Sequence, residues 1–388
     1  MAATAPYFAT ATPAFSTEAP AFSTEAPASS TEAPAFSTEA PAFAIATEYT
    51  TADTVGVTDI EEVVVIATPK ETDKLKQQPL AVSLLGQKDT ERHGILSLKG
   101  TSTVVPNLFI PDYGSRLTSA IYIRGIGSRI NTPAVGLYVD NVPYYDKSAY
   151  DFALYDIERI DVLRGPQGTL YGRNSMGGLM RIHTRSPFSY QGSELKLGLA
   201  TGDLHRSASL THYHRVSERF AFSGGGYYDG SSGFYKNSYS SHRQDRLESG
   251  GIRVRGIALP SEGLKLDFNI GYDYTHEGGY PYFYTGQVAG NEEHADLIGK
   301  ISTNEHSSYR RGMLNEGLNL EYRTRQWTLN AVTGLQHLQD RMFLDQDFTA
   351  DNVYTLEQRQ RLTILSEEVT LKSNGRRLWQ WVNGLSVI

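Results

Sequence analysis

The sequence predicts a mixed α/β domain followed by antiparallel transmembrane β-barrel strands. Three observations support this fold class. Short β-type runs at residues 135–187 are broken by closely spaced glycines, and a regular meander of alternating strands begins at Gln191. No run of about 18 apolar residues is present from which a membrane helix could be built. A membrane location would therefore require barrel strands, which cross the bilayer with about ten residues each.

The amino-terminal part of the chain carries a repeated heptapeptide. Residues 13–43 contain four copies of the pattern Ala-Phe-Ser-Thr-Glu-Ala-Pro, with Ser in place of Phe in the third. The proline in every repeat blocks a continuous helix, and the other residues cannot bury a core. A coiled coil would share the seven-residue period, but it requires two apolar positions per repeat and no proline. We therefore predict a disordered or polyproline-like tether over residues 1–58.

No export signal is visible in this tether. Lys70 is the first basic residue, and no apolar run precedes Val63, so both the basic and the apolar part of a secretory signal are missing. The sequence predicts either that the natural start lies further upstream or that the repeat marks a rearranged gene.

Residues 59–69 join an acidic stretch to a run of valines and end at a proline. Such a segment suits two roles. It could be a plain edge strand of the following domain, or an extended segment that adds as a strand to a partner protein through backbone hydrogen bonds. The position between a flexible tether and a folded domain favours the second role.

Residues 70–188 are predicted to form the compact mixed domain. Val135, Leu137 and Val139 alternate with small or polar residues, and the segments at 157–162 and around Ile182 show the same pattern. This alternation predicts half-buried strands joined by tight turns. The intervening glycines supply positive φ angles or close backbone approach; they are Gly165, Gly168, Gly172, Gly177 and Gly178.

Residues 189–388 are predicted to form about nine antiparallel strands. The first contains alternating leucines at 195, 197 and 199, and the others span residues 205–216, 220–229, 247–259, 264–275, 313–323, 327–341, 356–372 and 379–388. The connections are short at 260–263, 324–326 and 374–375, and long at 230–246, 276–311 and 342–355. Short turns on one side and long loops on the other are typical of transmembrane barrels.

Four motifs in this chain resemble the plug of TonB-dependent outer-membrane receptors. They lie at residues 60–65 (IEEVVV), 121–127 (IYIRGIG), 135–145 (VGLYVDNVPYY) and 155–187, in the order found in that family. The resemblance implies a plug inside a 22-stranded barrel of a Gram-negative outer membrane. Such receptors import scarce ligands, for example siderophore–iron complexes, and the inner-membrane TonB complex supplies the energy.

The resemblance also implies four regions in the chain. They are the tether at residues 1–58, a TonB box at 59–69, the plug at 70–188 and the amino-terminal part of the barrel, truncated, at 189–388. The TonB-box residues are Asp59, Ile60, Glu61, Glu62, Val63, Val64 and Val65. About nine strands of an expected 22 leave open edges, and each unpaired backbone group in lipid costs several kcal/mol. We therefore expect residues 191–388 in lipid vesicles to oligomerise or precipitate rather than form a heat-resistant compact barrel.

The resemblance assigns two groups of site residues. Arg124 and Arg164 match plug positions that pair with barrel glutamates, and strand alternation places Glu368 in the lumen, so these three residues are predicted to form a plug–barrel latch. Ligand contact is expected at the plug apices and outer loops. The predicted ligand-binding residues are Tyr113, Arg116, Arg129, Asn131, Tyr144, Tyr145, Tyr280, Tyr282 and Tyr284.

Other site chemistries find little support. The chain has no cysteine, which excludes disulfides and thiolate metal sites, and its net charge of −7 gives no nucleic-acid-binding pattern. His212 and His214 could bind a metal together with His205, but they are predicted to be polar residues facing the lumen. Asp345, Asp347 and Asp351 match calcium ligands only in residue type. We predict no catalytic residue, no cofactor and no enzyme activity.

The function predicted from this reasoning is energised uptake of a siderophore–iron complex or a similar scarce nutrient. The expected partners are TonB, outer-membrane lipid and a small-molecule ligand that is a metal chelate; no nucleic acid is expected. Two alternatives stay open at this stage. One is a receptor that signals the same ligands to a periplasmic partner, and the other is a non-functional truncated fragment.

Overall fold

The computed structural model describes residues 81–118, 120–129, 132–283, 285, 297–374 and 379–388. Several sequence predictions lie outside the described residues: the tether at 1–58, the TonB box at 59–69, and the ligand-site residues Asn131 and Tyr284. The described residues therefore begin inside the predicted plug, and their first element is a β-strand. No helix in this part of the chain is long and apolar enough to cross a membrane.

The described part of the plug, residues 81–188, contains short strands and two short α-helices. The strands are β1 (Ala81–Gly86), β2 (Leu108–Phe109), β3 (Tyr122–Ile123), β4 (Ile126–Gly127), β5 (Val135–Val139), β6 (Val142–Tyr144), β7 (Ile157–Arg164) and β8 (Gly178–Thr184), and the helices are α1 (Gln87–Arg92) and α2 (Gly168–Tyr171). Five strands form one sheet in the order β1-β7-β8-β5-β6, and β2, β3 and β4 form a second sheet. In the larger sheet β5 and β8 are parallel, and the other neighbours are antiparallel.

The β5–β6 hairpin follows directly from its sequence. Asp140 and Asn141 join the two strands with φ angles of 46° and 69°. A two-residue hairpin turn with both φ angles positive matches the twist of the strands it connects, and Asp and Asn tolerate this conformation better than most residues. The turn places Val142 at the start of β6, where its side chain contacts two of the strands that follow the plug in the sequence.

The central plug strands are buried on both faces, so the prediction of half-buried strands was wrong. Every residue of β5 and of β8 is buried, although polar residues alternate with apolar ones along β7 and β8. One face packs in the main hydrophobic core, which includes Ile160 and Ile182. The other face carries Asp161 and Arg181, which pair with each other at 3.1 Å. Polar residues alternate here because they neutralise one another, not because they face water.

The nine strands that follow form one antiparallel sheet, which we call the wall. They are β9 (Gly192–Ala200), β10 (His205–Ser217), β11 (Phe220–Ser231), β12 (Leu247–Ser261), β13 (Leu264–Glu277), β14 (Ser308–Arg323), β15 (Trp327–Asp345), β16 (Thr355–Ser373) and β17 (Val382–Val387). Each strand pairs with its neighbours in the sequence, from β9 at one edge to β17 at the other. The fold class is the predicted one: a mixed plug followed by nine antiparallel strands of barrel type.

Some strands are longer than the sequence indicated. The expected start of β14 was residue 313, but its pairing with β15 continues from Arg323 opposite Thr328 to Ser308 opposite Phe343. The extension reads Ser-Tyr-Arg-Arg-Gly, and the two consecutive arginines, Arg310 and Arg311, interrupt the hydrophobic alternation that marks the rest of the strand. Hydrogen bonds between β14 and β15 extend this hairpin beyond its apolar segment.

Side chains of the wall alternate between an inner face, which contacts the plug, and an outward face. On β10 the side chains of Thr211 and Tyr213 are 5% and 1% exposed, whereas His212 and His214 are exposed on the outward face. The prediction that these two histidines face the lumen was therefore wrong. Their rings stack at 6.1 Å, and His214 packs edge-on against Phe222 at 5.6 Å.

Candidate functional site

The plug and the wall are joined by arginines on the inner face of β12. Arg253 Nη1 lies 2.5 Å from Asp156 Oδ1 of the plug, and its guanidinium covers the ring of Tyr155 at 5.3 Å. Both partners come from the loop before β7. Stacking and ion pairing together fix the orientation of the planar arginine side chain.

Arg255, two residues further along β12, makes a second connection. Its Nε and Nη2 atoms donate to the carboxylate of Asp267 on β13 at 2.9 and 2.8 Å. Its Nη1 atom donates to Thr184 Oγ1 at 2.7 Å and lies 3.5 Å from Asp140 Oδ1. Asp140 in turn accepts from the Thr184 backbone N–H at 2.9 Å. Arg255 thus ties the β5–β6 turn and the end of β8 to two wall strands.

Strand β14, which lies beyond β13 in the wall, donates to backbone carbonyls of the plug. Arg311, which is 1% exposed, donates through Nη1 to the carbonyl of Ser148 at 2.5 Å and through Nη2 to the carbonyl of Asp151. Asn319 Nδ2 donates to the carbonyl of Asp140 at 3.1 Å. Donors on β12 and β14 therefore satisfy acceptors that the plug buries at this interface.

The predicted latch between plug arginines and Glu368 does not form as expected. Arg124 is exposed, and Arg164 Nη1 donates to the carbonyl of Pro106 at 3.2 Å. Glu368 does face the plug, but Tyr138 Oη donates to its Oε1 at 3.3 Å. Across the described interface, most of the arginines lie on the wall and their acceptors lie on the plug. This is the reverse of the predicted arrangement, in which plug arginines pair with a wall glutamate. The alternation Ile-Arg-Val-Arg at 252–255 is the sequence signal for inward arginines, since Ile252 is outward and 64% exposed.

Close backbone approach on β14 and β15 completes the interface. A Cβ atom at Gly317 would lie 2.4 Å from Val142 Cγ2, and one at Gly334 would lie 2.9 Å from Val142 Cγ1. Glycine is therefore required at these two wall positions for the β5–β6 hairpin to touch the wall. The side chain of Val142 therefore contacts both wall glycines at once.

Within the plug, a buried charge cluster joins β7 to β8. Asp161 is fully buried and accepts from Arg159 Nε at 2.6 Å and Arg181 Nη2 at 3.1 Å, and its Oδ2 lies 3.2 Å from His183 Nε2. Burial by itself would raise the pKa of Asp161. The hydrogen bond with His183 and the nearby positive charges outweigh that effect and lower the pKa to about 2.

Residues 113–116 of the plug are held by the end of β13 and by the loop after it. The Gly114 carbonyl accepts from the Tyr280 backbone N–H at 2.8 Å, and the Tyr113 carbonyl accepts from Tyr282 Oη at 2.6 Å. Glu277 Oε1 accepts from both Ser115 Oγ and the Arg116 backbone N–H at 2.7 Å. We call residues 113–116 the apical segment.

The apical segment lies beside a cationic and aromatic surface. The guanidinium of Arg129 covers the ring of Tyr113 at 4.5 Å, and the ring of Tyr282 lies 5.2 Å from that of Phe348. Next to Arg129 is an open cleft of about 460 Å³ between plug and wall. Its lining includes Arg129, Asp146, Lys147, Gln358 and Gln360. This surface offers cationic, hydrogen-bonding and aromatic groups to a ligand that enters from the long-loop side.

Two predicted ligand residues are buried in structural roles. Arg116 is 7% exposed; its Nε lies 4.0 Å from Asp151 Oδ2, and its Nη1 lies 3.4 Å from Thr275 Oγ1. The charges of Arg116 and Lys99 lower the pKa of Asp151, although burial opposes them. Tyr144 is 7% exposed and packs in the main core, with its ring 5.7 Å from that of Phe152.

The other predicted ligand residues are divided between two places. Tyr113, Arg129, Tyr280 and Tyr282 come together at the apical surface, although Tyr280 is 4% exposed and packs against wall residues. Tyr145 lies elsewhere, on the side of Glu368. Burial raises the pKa of Tyr145, and the charge of Glu368 raises it further. The ligand-binding role of the apical residues stays a prediction.

Sequence reasoning missed several residues that the structure adds to the cleft. They are Leu117, Asp146, Lys147, Ser148, Gln358 and Gln360. Burial lowers the pKa of Lys147, and the neighbouring charge of Arg129 lowers it further. Gln358 and Gln360 alternate on β16 with the charged residues at 357, 359 and 361. An alternation in which both faces are polar indicates a strand segment above the membrane, and that signal could have identified the two glutamines.

Comparison with known proteins identifies the plug from its sequence. Residues 74–179 match the TonB-dependent Receptor Plug Domain family. The pesticin receptor of Yersinia pestis is 32% identical over 151 residues, which are 38% of this chain and 22% of that protein. The vitamin B12 transporter BtuB of Vibrio vulnificus is 29% identical over 174 residues, which are 41% of this chain and 26% of that protein. The chain thus spans about a fifth to a quarter of the length of these curated relatives.

Solved structures with the same fold cover most of the described chain. The ferric yersiniabactin uptake receptor FyuA from Yersinia pestis superimposes with a TM-score of 0.68 at 21% identity, over 79% of this chain and 48% of that one. The ferric-catecholate import receptor Fiu from E. coli K12, in its open form, gives a TM-score of 0.63 at 15% identity, over 82% of this chain and 50% of that one. At these identities the likeness establishes the fold, and the chain spans about half the length of each solved receptor.

Proposed function

Because the chain carries a TonB-dependent receptor plug domain followed by nine strands with the fold of these receptors, we propose that it acts in energised uptake of a metal chelate or similar scarce nutrient. The uptake would take place across a Gram-negative outer membrane. The observation that carries this proposal is a plug held against the inner face of the wall by Arg253, Arg255 and Arg311. A plug fixed in this way closes a passage that transport must open.

The apical surface supports an anionic, partly aromatic ligand. Arg129 and Lys147 supply positive charge, and Tyr113, Tyr282 and Phe348 supply ring faces and edges. Aromatic rings bind planar chelating groups, and a guanidinium binds carboxylate or catecholate oxygens. Relatives named as a ferrioxamine B receptor and a vitamin B12 transporter agree with a metal-containing ligand. We therefore favour a ferric chelate, with a cobalamin as the second candidate.

TonB is the proposed energy-coupling partner. The predicted TonB box at residues 59–69 precedes β1, which is an edge strand of the plug sheet and pairs only with β7 among the described strands. A pulling force applied before β1 would act first on this edge strand. The six residue pairs between β1 and β7 are the first interactions on which such a force would act.

The test is an uptake assay with radiolabelled ferric siderophores and cyanocobalamin. Cells of an outer-membrane-competent host that lack their own receptors would express the chain, in strains with and without TonB. We expect one ligand class to accumulate only in the strain that has TonB, and Arg129→Ala with Tyr282→Ala to reduce its binding about 10-fold or more. Arg359→Ala, on an exposed outward position, is the matched control.

Binding and transport separate the parts of this proposal. A ligand that binds equally with and without TonB but accumulates in neither strain would support a binding surface and refute energised uptake. If no ligand of either class binds cells that carry the chain in the membrane fraction, the proposed function is wrong.

A further inference from the structure

The outward face of the wall carries a row of basic side chains near the long-loop ends of its strands. His276 on β13 lies directly opposite Arg310 on β14, and Arg310 lies opposite Arg341 on β15. Residues directly opposite each other in an antiparallel pair are close neighbours, and like charges at such positions destabilise the sheet. We call His276, Arg310 and Arg341 the basic row.

The outward direction of the row follows from its neighbours along each strand. Tyr309 and Arg311 are 0% and 1% exposed because they pack against the inner side of the wall. The side chain of Arg310, which lies between them, therefore points outward and is exposed. The residues on both sides of Arg341 are likewise buried, and Arg341 itself is exposed. The row thus faces the surroundings of the wall and not the plug.

Carboxylates compensate the ends of the row but not its centre. On β16, Glu357 Oε1 lies 2.9 Å from Arg341 Nε and 2.5 Å from Arg359 Nε, so that one negative charge serves two arginines. On the other side, the carboxylate of Glu248 is already paired with an arginine at 2.6 Å. Among the described residues, Arg310 has no carboxylate within ion-pair distance. The centre of the row therefore has positive charge available for an anion from outside the chain.

The basic row lies just above the apolar band of the wall. Next to it on β13 are the exposed rings of Tyr272 and Tyr274, and at the short-turn end of β14 the rings of Tyr322 and Trp327 pack at 5.6 Å. The strand from Tyr322 to Arg310 is about 40 Å long and, at a tilt of about 45°, crosses about 28 Å. The hydrocarbon core of a bilayer is about 30 Å thick, and aromatic girdles mark its two borders in barrels with long outer loops. This position is the level of the headgroups in the outer leaflet.

We propose that the basic row binds the phosphate groups of lipid headgroups in the outer leaflet. Charge complementarity identifies the occupant, because guanidinium groups bind phosphate through paired charge-assisted hydrogen bonds. A phosphate between Arg310 and Arg341 replaces the repulsion between the two arginines by attraction to a shared anion. The occupant is a lipid and not a free phosphate ion, because the acyl chains of a headgroup held here lie along the apolar band next to the row.

The inference rests on the proposed membrane location but not on the identity of the transported ligand. The test measures lipid binding by the whole chain in dodecyl maltoside micelles. The probe is radiolabelled dioleoyl phosphatidic acid, which carries a phosphate monoester. Dioleoyl phosphatidylcholine, whose choline compensates the phosphate charge, is the comparison lipid. Inorganic phosphate, added as a competitor, distinguishes a lipid site from a site for the free ion.

Two pairs of substitutions remove the same charge from opposite ends of the strands. Arg310→Ala with Arg341→Ala removes two cations from the row. Arg323→Ala with Arg325→Ala removes two exposed cations at the short-turn end and is the matched control. The two places are separated by several Debye lengths, so the control pair has little electrostatic effect at the row.

We expect Arg310→Ala with Arg341→Ala to weaken the binding of phosphatidic acid by about 10- to 30-fold, and the control pair to change it by less than about twofold. Arg310→Lys with Arg341→Lys should retain most of the binding, because the charges stay. Glu357→Gln should strengthen binding by about two- to fivefold, since it removes the carboxylate that competes with the phosphate. A purely structural role of the row gives no reason for this last variant to bind lipid more tightly.

Several results would overturn the proposal. Equal weakening by the row pair and the control pair would indicate general attraction of lipid to a cationic surface. Displacement of the probe by inorganic phosphate as effectively as by unlabelled phosphatidic acid would indicate a site for the free ion. Phosphatidic acid that binds no better than phosphatidylcholine would refute a role of phosphate charge. None of these results affects TonB-dependent accumulation of a ferric chelate, so the two proposals fail separately.

Discussion

At the scale of single residues, the plug is attached to the wall by a few buried arginines with several acceptors each. Arg255 bridges Asp267 of the wall and Asp140 and Thr184 of the plug, and Arg311 binds two plug carbonyls. A buried ion pair contributes little net stability compared with apolar residues of the same size, but the loss of one partner leaves an uncompensated charge. Such contacts determine the position and orientation of the plug against the wall more than they add to its stability.

The first prediction concerns Arg255. Arg255→Ala should weaken the attachment of the plug by about 3–5 kcal/mol, because Asp140 loses its cation and Asp267 keeps, among the described residues, only Lys265 as a cation at 3.2 Å. The measurement is the urea concentration at which protease begins to cleave the plug in membrane-embedded protein. Arg359→Ala, at a side chain that is 70% exposed, should leave that concentration nearly unchanged, because its effect on the free energy of unfolding should be less than about 0.5 kcal/mol. Equal effects of the two substitutions would contradict a specific role of Arg255.

The second prediction concerns pH and Asp161. Its pKa in the folded plug is about 2, below the usual value of 3.8. A carboxyl group with a lowered pKa stabilises the fold above its unfolded pKa, and that contribution disappears as pH falls from about 4 to about 2. Stability measured by urea unfolding should therefore fall by about 2 kcal/mol over this range. Asp161→Asn should be less stable at pH 6 and should lose this part of the pH dependence; an unchanged pH profile would refute the assignment.

At the scale of elements, the plug meets the wall through turns and short segments whose backbone geometry is unusual. The β5–β6 turn needs glycines on two wall strands, and the apical segment is hydrogen-bonded to the chain after β13. The apical segment also contains Gly114, with a φ angle of +77°. Because these elements are held mainly by backbone contacts, small changes in side-chain volume should have large effects on them.

The third prediction concerns Gly114. Gly114→Ala adds a Cβ atom 2.6 Å from Pro281 Cδ and should detach the apical segment from Tyr280. Gly125→Ala is a matched control, since Gly125 has a similar φ angle of +80° but open space around its Cβ position. In both variants a non-glycine residue in a left-handed conformation destabilises the fold by about 1–2 kcal/mol. Only in Gly114→Ala does the new Cβ atom also clash with Pro281. Protease cleavage within residues 111–116 should be faster in Gly114→Ala alone; equal rates would count against the clamp.

The fourth prediction concerns the proposed TonB box. A peptide of residues 59–66 should bind the carboxy-terminal domain of TonB by strand addition, in which most hydrogen bonds are made by the backbone. Val64→Pro should abolish binding, because proline removes a donor and fixes φ, whereas Val64→Ala should be mild. Isothermal titration calorimetry distinguishes the two variants. If the peptide does not bind, or if both substitutions act alike, the box assignment fails.

At the scale of the whole molecule, the main hydrophobic core belongs almost entirely to the plug. Its buried members come from β1, β2, β3, β5, β6, β7, β8 and the loops between them, and the wall contributes only Met313 and Leu338 to the buried members of the described cluster. Apart from the contact of Val142 with two wall glycines, the contacts described between plug and wall are mainly polar, with arginines, carboxylates and carbonyls. An apolar core within one unit and a polar interface between two units are the arrangement expected of parts that must separate or rearrange.

The fifth prediction follows from this arrangement. Residues 70–186 produced alone should give a soluble domain with β-type circular dichroism and a cooperative thermal transition, because about 120 residues with their own core lie in the usual size range of domains. Ile160→Asp, which places a charge in a fully buried position, should abolish the transition. A disordered spectrum of the unsubstituted domain would show that the wall is required to hold the plug together.

The sequence by itself determined the elements of this protein. Alternation along the wall strands indicated nine strands, because apolar outward residues such as Ile252 and Val254 repeat with the strand period of two. The motifs at residues 121–187 indicated the plug, and the match of residues 74–179 to the plug family agrees with them.

Only the tertiary structure decided which polar residues meet. Alternation gives the face of the sheet on which a side chain lies, but it does not give the depth of the plug relative to the wall. The inner-face position of Glu368 was therefore predicted correctly, whereas its partner Tyr138 was not predicted. Arg116 and Tyr144 were taken for ligand residues because arginine and tyrosine suit both a binding surface and a buried network. Their burial depends on contacts between residues far apart in the chain, and the packing of plug against wall sets those contacts.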